Sequence, residues 1–77
     1  MITSGQIKAA RALLGITAAN LAELAGVGFT TIIRMESSDG IPSGQVKTLN
    51  AVQIALESAG VEFIGSPESG AGVRFKK

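Results

Sequence analysis

The chain has 77 residues, 45% of them hydrophobic and 17% charged, with a net charge of +1. That is room for a single domain over residues 1–77, since an independent core takes roughly 50–60 residues. With no cysteine, histidine, tyrosine or tryptophan, the chain offers no disulfide, no ordinary zinc site and few of the side chains that catalysis uses; no metal, other cofactor or enzymatic activity is expected.

Only Phe29, Phe63 and Phe75 are aromatic, so Leu, Ile, Val and Ala must build the core, which favours packed helices. Met1-Ile2 leads into the polar, cap-like Thr3 and Ser4, with no basic and apolar leader and no run near the ~18 apolar residues of a membrane span expected. A cytoplasmic protein with no membrane partner is expected.

A first helix begins at Thr3 or Ser4, because Thr3 with Gln6 three residues on has the form of a capping box. It runs to Leu14 and stops at Gly15. Ile7, Ala10 and Leu14 form its inward face, with Lys8 and Arg11 on the other side. A second helix, capped by Thr17, covers Ala18 to Ala25, with Leu21 and Leu24 as an inward pair and Gly26 suited to the left-handed residue beyond its last turn. A third covers Phe29 to Glu36, with Ile32 and Met35 inward. Two short helices joined by a brief glycine-containing turn make a helix-turn-helix.

Residues 37–43 are dense in turn formers and read as a loop. Val46, Leu49, Val52, Leu56 and Ala59 then mark the inward stripe of the longest helix, which ends at Gly60. Beyond it, Val61–Ile64 and Val73–Lys76 place apolar residues at alternate positions, as half-buried strands do, around a loop over residues 65–72. The fold class is mainly α: four helices over residues 3–60, then a C-terminal β-hairpin over residues 61–77.

The run from Ile16 to Glu36 resembles the helix-turn-helix core of Cro/C1-type (XRE family) transcriptional regulators. The resemblance rests on Leu21-Ala22, Ala25-Gly26-Val27, Thr30-Thr31, Ile32 and Glu36, and extends over nearly the whole chain, including the tail of small stand-alone bacterial members. It implies a four-helix, repressor-like DNA-binding domain that inserts the helix Gly28 to Glu36 into the major groove of double-stranded DNA. On this reading Gly28, Phe29, Thr30, Thr31, Ile33 and Arg34 face outward. Phe29, Thr30 and Arg34 are candidates for base edges; Thr17, Thr31, Ser37 and Ser38 are candidates for phosphates.

The chain departs from the family pattern at three places. Ala18 stands where a polar phosphate contact is usual, and Gly28 replaces a Ser/Thr cap. Phe29 and Ile33 form an apolar i, i+4 pair on the reading face, and the net charge is low for a phosphate binder. Two readings follow. Either the pair packs on thymine methyls, or the face binds another regulatory protein and the fold serves as an anti-activator.

Two-fold recognition of a palindrome implies a homodimer. Val61, Phe63, Ile64, Val73 and Phe75 of the hairpin, with Ile54 on the polar side of the last helix, are the expected contact. The competing reading is that the hairpin only covers its own helices and Ile54 is an ordinary exposed residue. Lys76 and Lys77 are basic and near the terminus, and are open to a DNA backbone or simply to solvent.

Overall fold

The computed structural model describes residues 2–42 and 44–76. Ser43 of the expected loop and the terminal Lys77 lie outside the described residues. The elements are α1 (Ser4–Leu14), α2 (Ala18–Ala25), α3 (Phe29–Ser37), α4 (Val46–Ser58), β1 (Val61–Ile64) and β2 (Gly72–Phe75). This is the expected fold class. β2 begins one residue earlier than its apolar alternation suggests and leaves Lys76 outside, while α3 runs one residue further.

The helix ends follow from local chemistry. Thr3 accepts from the Gln6 N–H at 3.1 Å, and the Gln6 side chain accepts from the Thr3 N–H at 2.8 Å, closing the capping box. Thr17 and Asn20 repeat this arrangement at the start of α2. After α2, Gly26 turns left-handed (φ 70°) and its N–H bonds the Glu23 carbonyl, while the Val27 N–H bonds the Ala22 carbonyl. These paired bonds satisfy carbonyls that the helix end would leave open, and fix the tight turn into α3.

Ile7, Ala10, Leu21, Ile32, Val52, Leu56 and Val61 are fully buried, joining all four helices and β1 in one core. Three inward assignments fail. Leu24 and Val46 are both mostly exposed, because α2 turns Leu21 and Ala22 toward its neighbours and α4 meets the core only from Leu49 onward. Ala59 is likewise exposed, past the end of α4.

Arg11, expected on the outer side of α1, instead reaches across to α3. Its Nε and Nη2 donate to the Glu36 carboxylate at 2.7 and 2.8 Å, and its Nη1 donates to the Ile16 carbonyl at 3.2 Å. Bonding to Glu36 raises the guanidinium pKa above its ordinary value. The start of α1 is tied to the same helix: the Ser4 hydroxyl donates to the Met35 carbonyl, and the Ser4 N–H to the Gly40 carbonyl at 2.8 Å. α1 therefore braces the C-terminal end of α3 at two places.

The strands pair antiparallel, with Val61 opposite Phe75 and Phe63 opposite Val73. β2 packs on α1, and β1 on α4 and α1. The Gln6 Nε2 donates to the Ile64 carbonyl at 3.3 Å and the Gly72 carbonyl at 2.9 Å, pinning the far end of the hairpin to α1. Glu62 pairs across the strands with Arg74 at 2.9 Å; that bond holds the exposed carboxyl below its ordinary pKa.

Candidate nucleic-acid interface

α3 is held from behind and open in front. Ile32 and Met35 are buried and Val27 packs against the core, while Glu36 is fixed by Arg11. This leaves Phe29 (53% exposed), Thr30, Ile33 (45% exposed) and Arg34 on the solvent side, with Thr31 half-buried. Of the six residues expected to face outward, Gly28, Phe29, Thr30, Ile33 and Arg34 are exposed and Thr31 is partly covered. Neither Phe29 nor Ile33 is needed by the core.

Thr17 is exposed at the N-terminus of α2, where its hydroxyl oxygen accepts from the Asn20 N–H at 3.0 Å. Its proton is still available to an acceptor outside the chain. Ser37 and Ser38 behave differently. Both hydroxyls donate to the Arg34 carbonyl, at 3.0 and 3.2 Å, so they close the C-terminal end of α3 and their protons are directed back into the helix.

Gly28 caps α3 with no side-chain bond, in extended backbone (φ −71°, ψ 148°) that any residue adopts. A Cβ there meets nothing nearer than the Thr31 hydroxyl at 3.8 Å. Gly28→Ser should therefore stabilise the fold, by about 0.5 kcal/mol, through a new cap and a less flexible unfolded chain. Urea unfolding followed by circular dichroism measures this, and a loss of stability would show that the site rejects a side chain.

One neighbouring feature leaves only a faint mark in the sequence. The N-terminus of α4 lies beside α3, and Thr31, Arg34 and Met35 share a groove with Gly44, Gln45 and Thr48. Gln45 makes no side-chain cap bond, so the partial positive charge of the α4 start lies at the edge of this groove without a side-chain acceptor on it. The missing Ser, Thr, Asp or Asn at the cap position was the only available signal.

Of the residues expected at a dimer contact, Val61 is fully buried in the chain's own core and has no surface left for a partner. Phe63 and Val73 are half-buried against that same core, and Ile64 is half-buried. Phe75 and Ile54 are exposed, at 57% and 61%. The alternation that marks a strand cannot tell an inward face covered by the same chain from one covered by another copy.

A buried-backed short helix, reached through a left-handed glycine turn from the helix before it, defines a helix-turn-helix protein, and residues 7–46, just over half the chain, match the helix-turn-helix family. The chain belongs to that family, of Cro/C1 (XRE) type, whose members are DNA-binding regulators rather than enzymes. No curated protein sequence matches it. Among the described residues no helix is long and apolar enough to cross a membrane.

Proposed function

We propose that the chain is a cytoplasmic, sequence-specific regulator of transcription that inserts the segment Gly28 to Glu36, the cap and body of α3, into the major groove of an operator and binds as a homodimer. The observation that carries this reading is the contrast between the two sides of α3. One side is fixed by core packing and the Arg11–Glu36 pair, and the other holds Phe29, Thr30, Ile33 and Arg34 in solvent. Rigid backing of that kind suits a helix that must present side chains to base edges in a set register.

In this reading Arg34 donates to a guanine edge, Thr30 bonds a base or touches a thymine methyl, and Phe29 and Ile33 pack on thymine methyls. Thr17 and Thr31 contact phosphates, and the start of α4 adds N–H groups toward the backbone. Ser37 and Ser38 serve mainly to close α3.

Arg34→Ala should weaken binding to a selected operator by at least tenfold, about 1.4 kcal/mol, while leaving thermal unfolding unchanged, since an exposed helical arginine holds no core. Fluorescence anisotropy on duplexes recovered from a random pool measures this. Equal affinity for wild type and variant would remove Arg34 from the reading surface.

The exposed Phe29–Ile33 pair favours a second reading, an anti-activator that binds a regulatory protein through these side chains. A folded chain that retains no duplex even at low salt would select it.

A further inference from the structure

An exposed apolar pair away from α3 lies between α2 and α4. Leu24 (57% exposed) and Ile54 (61% exposed) stand beside a groove floored by Ala51, Ala55 and Ser58. Small residues on that floor admit a second helix at close range. With 3.6 residues per turn, Lys47, Asn50, Ala51, Glu57 and Ser58 all fall within about 60° of Ile54 around α4.

Charge is ordered along this face. Lys47 lies near its N-terminal end and Glu57 near its C-terminal end, about 15 Å apart along the axis, and neither has an ion-pair partner among the described residues. A copy of α4 laid antiparallel, with a two-fold axis at the level of Val52, sets Lys47 against Glu57 of the second copy, and Glu57 against its Lys47. The same register places each Ile54 opposite Asn50, beside Ala51 and Leu24, of the other copy. Parallel packing would instead put lysine on lysine and glutamate on glutamate.

We infer that the α2–α4 face, centred on Ile54, is the surface through which two copies of this chain associate, with antiparallel α4 helices and reciprocal Lys47–Glu57 pairs. Its apolar centre, charged ends and self-complementary order are what an isologous contact requires. The hairpin is less suited, because Val61 is buried and Phe63 and Val73 already cover the chain's own core. The inference rests on the homodimer of the proposed function and gives that dimer its contact.

Sedimentation equilibrium of the full chain without DNA tests it, so that a failure of self-association is read separately from a failure to bind DNA. The wild type is expected to dimerise. Ile54→Glu should raise the dimer dissociation constant at least about a hundredfold, because it places two carboxylates in an apolar contact. Lys47→Glu should raise it about tenfold through two like-charge contacts, and Lys47→Glu with Glu57→Lys should restore it to within about threefold of wild type. That double exchange puts acid at the start and base at the end of α4, which helix dipoles favour, so it should not impair folding. Phe75→Glu should leave the constant unchanged. A wild type that stays monomeric at every concentration would overturn the inference. So would a dimer broken by Phe75→Glu but not by Ile54→Glu, or a charge exchange that fails to restore it.

Discussion

Glu36→Ala is expected to lower the stability of the fold by about 2–4 kcal/mol, a large share of what a small domain possesses. The Glu36 side chain is almost entirely enclosed, and the substitution leaves the half-buried Arg11 guanidinium with only the Ile16 carbonyl as acceptor. A surface ion pair is worth at most about 1 kcal/mol; burial and two-point bonding put this one above that range. Replacing both partners with apolar residues, Arg11→Met with Glu36→Leu, should cost less than either single loss, because no buried charge then lacks a partner. Urea unfolding of the wild type, Glu36→Ala, Arg11→Met, Glu36→Leu and the double variant measures both effects. A loss of under about 0.5 kcal/mol for Glu36→Ala would place the pair among surface contacts and remove the brace from the account of α3.

The second large effect falls on Gln6, a buried amide whose three bonds link separate parts of the fold. Its oxygen accepts from the Thr3 N–H, and its nitrogen serves the Ile64 and Gly72 carbonyls. Gln6→Ala should cost about 2–3 kcal/mol, through a lost capping box and two carbonyls deprived of their shared donor. The loss should be uneven. Amide exchange of the hairpin should accelerate more than that of α4, since a two-stranded hairpin is marginal without support. Gln6→Glu separates the two roles, because a carboxylate still accepts from Thr3 but repels the two carbonyls. It should keep α1 and loosen the hairpin. Uniform exchange across hairpin and helices in both variants would show that the hairpin does not depend on this amide.

The difference between what was and was not legible in the sequence has a physical basis. Caps, left-handed glycines and the 3.6-residue stripe are local, so Thr3, Thr17, Gly15 and Gly26 could be placed from their neighbours alone. Arg11 and Glu36 are 25 residues apart, and no spacing rule shows that they meet; Glu36 stood out only as part of a family pattern. Leu24 and Val46 read as inward because periodicity fixes a face but not its width, and both lie at the margin of their stripes. On α3, the exposed positions follow from the inward ones, whereas the inward-directed hydroxyls of Ser37 and Ser38 depend on rotamers that sequence does not specify. The burial of Val61 is unreadable for a related reason, since strand alternation does not say that the chain's own helices cover it.

The central claim is that α3 is a DNA-reading helix, and binding of the full chain to duplex DNA across a range of salt concentrations tests it most directly. A fall in log affinity with log salt of slope about −4 or steeper, together with enrichment of a palindromic duplex from a random pool, is the predicted result, because released counterions report phosphate contacts and symmetry reports two half-sites. Folded protein that retains no duplex at low salt would contradict it.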